Sequence, residues 1–302
     1  MLFDTSAITI DTINDKLFVE KEVSVSVLRL DKIHPVVSGN KLFKLHYFLE
    51  DALASKQKSI LSFGGAYSNH LAAAAFACRK LNLKSIGIVR GEQPAQLSPT
   101  LGQCIEDGMH LKFVSRQQYA EKEDPGFIKT LRTEFGEFIM TPEGGYHPAG
   151  AKGAALIMEL IGNKNYSHIC TATGTATTMA GLAAAARPNQ AIIGIPVLKG
   201  MTDIDDRIQY LAGTSETPKN IQLISDYYFG GYAKKTEVLI QFMNDCWLQY
   251  HIPLDFVYTA KMLFAVKDSI RNNYFSKGSD ILCLHTGGLQ GNKSLPLQSL
   301  LY

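Results

Sequence analysis

The amino-acid sequence predicts an α/β protein built on parallel sheets. Short apolar runs rich in Ile, Val and Leu alternate with Ala- and Leu-rich helical stripes through most of the chain. The clearest runs end in glycine- or hydroxyl-rich turns that open straight into a helix. Strand, tight turn, helix and strand within about 30 residues make a βαβ unit, which implies parallel pairing. The length, 302 residues, suits two domains of about 150 residues or one large α/β domain.

The opening, Leu17 to Leu30, reads as β-rich. A helix is expected from near Lys41, because Leu42, Leu45, Leu49 and Leu53 recur every three or four residues with Phe48 beside them, a stripe that faces a core. From Ser59 the order is strand SILSF, a glycine-rich turn, an Ala-rich helix from Leu71, then strand SIGIV. Ser98 suits an N-cap and Pro99 the first helical position, and LKFV supplies the next strand. Pro125 and Gly126 punctuate a polar stretch before EFIM.

A second series follows: a helix from about Ala151, strand HICTA, a helix from about Thr178, strand AIIGIPV, a helix near Asp203 to Leu211 and strand IQLI. Helices Lys235 to Gln249 and Ala260 to Arg271 and strand ILCL complete it. Without a repeat or long linker, the junctions between units must be short and hinge-like. They are placed near Phe43 and Gly144, giving a large unit of residues 1–43 with 144–302 and a small one of 44–143.

Lys plus Arg number 30 against 28 for Asp plus Glu, too even a balance to argue for nucleic acid or an anionic membrane. A small molecule is the expected ligand. The N-terminus lacks a signal-peptide pattern, and no segment has ~18 uninterrupted apolar residues, so a cytoplasmic protein is expected. The five cysteines include no C-x-x-C pair and read as reduced core thiols. His34, His110, His147 and His251 show no metal-ligand spacing, and no metal is expected.

Three stretches carry chemistry. In SGNKLFK, Lys41 and Lys44 share a helix face at the entrance, where the macrodipole is already positive. Taken alone they read as solvated surface lysines; neutralising one, or placing an anion between them, would relieve the repulsion. In FGGAYSNH, Gly64 and Gly65 follow a strand and Ser68 and Asn69 precede a helix, the position at which open α/β sheets bind ligands; the ordinary reading is a plain N-cap. In TATGTATTMAG, small residues let backbone amides approach a phosphate while Thr175, Thr177 and Thr178 offer hydroxyls. It is neither G-x-x-x-x-G-K-[ST] nor G-x-G-x-x-G, and Thr236, four residues past Tyr232, breaks a Tyr-x-x-x-Lys pattern.

SGNKLFK, GGAYSNH, EGG at 143–145, TGTATTMAGL, YTAK at 258–261 and HTGG at 285–288 stand in the order found in the pyridoxal-phosphate enzymes of the D-cysteine desulfhydrase and 1-aminocyclopropane-1-carboxylate deaminase family. The chain resembles that family from about Leu28 to Gly288. The resemblance implies pyridoxal 5'-phosphate as cofactor and fold type II: two open twisted parallel-sheet α/β domains, tryptophan-synthase-β-like, commonly as a homodimer. Lys41 resembles the Schiff-base lysine. Lys44 resembles the lysine near the cofactor phosphate, whose cradle would be Thr173, Gly174, Thr175, Ala176, Thr177 and Thr178. Asn69 resembles the partner of the ring oxygen, and Ser68, Asn69 and His70 the turn that takes the substrate carboxylate. Tyr232 and Tyr258 match substrate-facing tyrosines; with thirteen tyrosines in the chain, core packing is their ordinary reading.

Thr259 stands where the cyclopropane deaminases have a glutamate facing the pyridine nitrogen, and His70 where they usually have glutamine. Both positions resemble the desulfhydrases, implying α,β-elimination from a small amino acid to pyruvate, ammonia and sulfide. The alternatives are cyclopropane-carboxylate deamination to 2-oxobutyrate and ammonia, or a binding protein without turnover. The chain departs from the family pattern at Phe43, Tyr146 and His147, and in LQGNKSLP after HTGG.

Overall fold

The computed structural model describes residues 2–34, 37, 39–55 and 58–302. Ser38, which heads the lysine motif, lies outside the described residues. In chain order the regular elements are β1 (Ile10–Ile13), α1 (Lys16–Glu20), β2 (Ser24–Arg29), α2 (Lys41–Ala54), β3 (Ser59–Gly64), α3 (Asn69–Lys80), β4 (Lys84–Arg90), α4 (Pro99–Glu106), β5 (Met109–Val114), α5 (Arg116–Ala120), α6 (Pro125–Phe135) and β6 (Ile139–Thr141). Then come α7 (Pro148–Ala155), β7 (His168–Thr173), α8 (Thr177–Ala185), β8 (Ala191–Pro196), α9 (Ile204–Ala212), β9 (Ile221–Leu223), α10 (Glu237–Tyr250), α11 (Thr259–Arg271) and β10 (Asp280–His285).

These strands form two open sheets. One has the order β5-β4-β3-β6 and is parallel throughout. The other runs β1-β2-β10-β7-β8-β9 and is parallel except at the β1–β2 edge. Alternation along each strand explains the layers, because successive side chains point to opposite faces. In the large sheet Val25, Val27, Ile281 and Cys283 pack beneath α10 and α11. Leu28, Ile169, Leu282 and Leu284 face α7, α8 and α9 instead. In the small sheet Ile60 and Val89 meet α2, α3 and α4, whereas Leu61, Phe63 and Ile88 meet α5 and α6. Burial on both faces makes these strands continuous apolar runs, each fully buried Leu or Ile contributing about 1.5–3 kcal/mol.

Two expectations change. The punctuated polar stretch is helix α6: Asp124 accepts from the N–H groups of Gly126 and Phe127, and Pro125 takes the first helical position, where its missing N–H costs nothing. The β-rich opening is interrupted by α1, which Asp15 caps through Leu17 N–H at 2.9 Å. Phe43 is a core residue against Ala151, Ala154 and Ile157, and His147 caps α7 by accepting from Ala149 N–H through Nδ1. The five cysteines are buried thiols. Among the described residues no helix is long and apolar enough to cross a membrane, and no His/Cys/Asp/Glu group could hold a metal ion.

Candidate active site

A cavity of about 990 Å³ opens at the carboxyl ends of both sheets, the edge on which parallel α/β folds gather ligand-binding turns. Lys41, Lys44, Ser68, Asn69, His70, Thr173 to Thr178, Tyr232 and Tyr258 all line it. Residues more than 200 positions apart in sequence thus meet because β2, β10 and β7 lie side by side in one sheet and the turn after β3, in the other, lines the same cavity.

Lys41 and Lys44 sit in the first turn of α2. Gly39 brings that turn in close: its φ is +92° and a Cβ there would lie 1.9 Å from the Thr286 carbonyl oxygen, so only glycine fits. The Lys41 ammonium donates to Asn40 Oδ1 at 2.7 Å, Asn40 Nδ2 donates to Thr178 Oγ1 at 2.7 Å, and the Tyr258 ring centroid lies 5.5 Å from Lys41 Nζ. Burial pushes the Lys41 amine down to about 8, against the pull of Asp255. Burial, and then the Lys41 charge, hold Lys44 well below the ordinary lysine range; its partner is the Gly144 carbonyl at 3.3 Å.

On the small-sheet side Ser68 caps α3, accepting from Leu71 N–H at 3.2 Å. Because its oxygen is the acceptor, its hydroxyl proton remains free to donate. Gly64 makes room for this cap, since a Cβ there would stand 2.4 Å from Ser68 Oγ. Buried Asn69 Oδ1 and both ring nitrogens of His70 make no hydrogen bond. Burial first, then the charges of Lys41 and Lys44, push His70 down to about 3, against the Pro142 carbonyl. It is a neutral imidazole on the Lys44 side of the cavity, where a Cβ on Gly145 would meet both residues.

Facing them, α8 starts at Ala176 with φ +63° and no side-chain cap. Thr175 and Thr177 hydroxyls pair at 2.8 Å. Tyr232 is 52% exposed at the mouth, its ring 6.2 Å from that of Tyr258. Burial, then Tyr232, hold the Tyr258 phenol well above its usual value, so it stays protonated at neutral pH.

Thr259 is not in the cavity wall. It opens α11, where the helix start engages Asp255: the Thr259 hydroxyl and N–H both donate to Asp255 Oδ1, at 2.7 and 2.8 Å, and Val257 and Tyr258 N–H donate to Oδ2. The buried hydroxyl lining that side is Thr286. Sequence reasoning missed Asn40 and Thr286 as lining residues, and Asp255, outside the lining, as the anchor of Thr259. The last can be found from its chemistry: an Asp whose carboxylate accepts from the N–H two residues on, as Asp255 does from Val257, makes an Asx-turn. Tyr146, a departure from the family pattern, lines the cavity against Arg207 and Tyr210.

The arrangement fits pyridoxal phosphate. The first N–H groups of α8 lack a side-chain acceptor and lie with buried Lys44 and half-buried Lys41 in one cavity, a seat for an anion. Unsatisfied Asn69 and His70 atoms await polar partners, and a lowered lysine pKa suits condensation with an aldehyde.

Known proteins resemble this chain along most of its length. A Thermotoga maritima relative, provisionally named 1-aminocyclopropane-1-carboxylate deaminase, is 30% identical over 287 residues, covering 89% of each chain. A Salmonella choleraesuis protein named D-cysteine desulfhydrase is 27% identical over 289 residues, covering 86% of each. The crystal structure of an ACC deaminase homologue superposes with a TM-score of 0.81 at 27% identity, over 97% of this chain and 92% of that one. The family model described as pyridoxal-phosphate dependent enzyme matches residues 16–287, and with the fold and cavity above it makes this chain a member of that enzyme family.

Proposed function

We propose that the chain eliminates the β-substituent of a small amino acid of the D-cysteine kind, yielding pyruvate, ammonia and sulfide. The observation that best supports this is the wall supplied by the chain after Asp255: its lining residues, Phe256, Val257, Tyr258, Thr286, Gly291 and Ser294, include no carboxylate. Pyridoxal phosphate, when bound, supplies an aldehyde for a lysine amine and a ring that takes up electrons released at the substrate Cα. A wall of hydroxyls, Thr286 among them, would leave the ring nitrogen without a carboxylate to hold its proton, and so would make the ring a weaker acceptor. This suits expulsion of a thiolate better than opening an unactivated cyclopropane, where carbon leaves.

In this proposal Lys44, Thr173 to Thr178 and the α8 start hold the phosphate, and Asn69 holds the ring oxygen. Lys41, with its amine lowered by burial, carries the cofactor and takes the α-proton. Ser68 and the leading N–H groups of α3 hold the substrate carboxylate, with His70 beside them. Protonated Tyr258, aided by Tyr232, donates to the departing sulfur. The same proposal retains the units 1–43 with 144–302 and 44–143, and a cytoplasmic homodimer.

The second reading, cyclopropane-carboxylate deamination, is favoured by the names of the Thermotoga relative and the solved homologue. Supplying the holoprotein with D-cysteine, L-cysteine and the cyclopropane amino acid separates them. Pyruvate with sulfide is expected; 2-oxobutyrate without sulfide replaces the first reading by the second. A visible cofactor band with neither product points to binding without turnover.

A further inference from the structure

Lys261 is fully buried and lies outside the cavity lining, yet it carries an ammonium in the first turn of α11. Burial and the helix dipole both oppose a cation there. Its partners explain it: Nζ donates to the carbonyl oxygens of Tyr228, at 2.8 Å, and Gly231, at 2.7 Å. Each carbonyl already closes a turn, accepting from Gly231 N–H and Lys234 N–H respectively. The two turns share Gly231, and Tyr232 follows directly in the second.

This loop is costly to hold. Asp226, Phe229 and Ala233 have positive φ without being glycine, conformations that persist only where the surroundings over-determine them. Lys261 is one helical turn from Tyr258, so one helix start carries a cavity tyrosine and the clamp on the loop bearing its partner. Burial lowers Lys261 to about 8, against Asp255, which leaves it mainly cationic at neutral pH.

We propose that Lys261 is a positioning residue whose ammonium, bridging the Tyr228 and Gly231 carbonyls, sets Tyr232 against Tyr258 at the cavity mouth. The role rests on the reading of those tyrosines as substrate-facing. Lys261→Met keeps the volume and removes the bridge. In the holoprotein the visible band and the borohydride label at Lys41 are expected to remain. Tryptic cleavage after the exposed Lys234 and Lys235 should rise about tenfold as the loop opens more often. Turnover of whichever substrate the enzyme accepts should show a severalfold higher KM together with a kcat lowered by about tenfold.

In Lys261→Ala, ammonium or ethylamine should restore slow proteolysis and turnover, while tetramethylammonium, which has no N–H, should not. If Lys261→Met folds poorly, Lys261→Gln, which keeps two donors, takes its place and should show a smaller increase in cleavage. Wild-type proteolysis and kinetics in Lys261→Met, or a defect in Lys261→Ala that no amine relieves, overturns the proposal. Proteolysis needs no substrate, so it still decides the role of Lys261 if no amino acid is turned over and the functional reading fails.

Discussion

Two helix starts open on the same cavity and are finished differently. At α3, Ser68 supplies a cap and a free hydroxyl proton. At α8, no side chain caps the first turn, and Ala176 stands in a left-handed conformation that costs an alanine roughly 1 kcal/mol. A capped start is complete by itself and can exchange a visiting anion. An uncapped, strained start beside buried Lys44 and half-buried Lys41 suits a resident one. On the proposed reading, that difference gives the cofactor phosphate to α8 and the substrate carboxylate to α3.

The largest effect is expected at the amine between the two starts. Lys41→Ala should remove the visible band and lower turnover by roughly a thousandfold or more; a variant that keeps its colour and its borohydride-labelled peptide breaks the scheme. Making α8 resemble α3 is the sharper test. Ala176→Asp, which brings its own carboxylate to the buried helix start, should weaken pyridoxal phosphate binding by roughly tenfold to a hundredfold. Equilibrium dialysis reads this, and unchanged cofactor affinity takes the phosphate away from α8.

The converse change, Ser68→Ala, should raise the substrate KM by about tenfold, cost about 1 kcal/mol of stability and leave cofactor affinity as it was. A loss of cofactor affinity with an unaltered KM would reverse the assignment of the two starts. The smallest effect is a matter of pH. Burial lowers the Lys41 pKa to about 8, so the neutral amine fraction increases through that pH. Cofactor uptake by apoprotein should speed up to about pH 8 and then level off. Absorbance traces between pH 6.5 and 9.5 follow this, and a rate still climbing at the top of the range means an ordinary, solvated lysine.

The strand and helix order was legible because burial on both faces writes long apolar runs and helices write three- and four-residue stripes. Helix α6 is hidden in the sequence because Pro125 and Gly126 are also turn residues, although Asp124 before a proline also starts a helix. The site was legible wherever a turn is local: Lys41 to Lys44, Ser68 to His70 and Thr173 to Thr178 each lie in one short segment. Thr259 and Thr286 were not, because their placement depends on rotation about α11 and on β10 lying between β2 and β7. One residue past Tyr258 turns the side chain about 100° around the helix, away from the cavity and onto Asp255.

That place of β10 bears on how the chain is made. During synthesis β2 leaves the ribosome early, but the strand that must lie beside it arrives some 250 residues later, after every strand of the small sheet. The small sheet can therefore close while the β1–β2 ribbon still has an open edge, the kind of edge that recruits wrong partners. Pairing at long range is slow, and the lysine turn, which leans on Thr286 just past β10, acquires its final shape only when that last strand slots in.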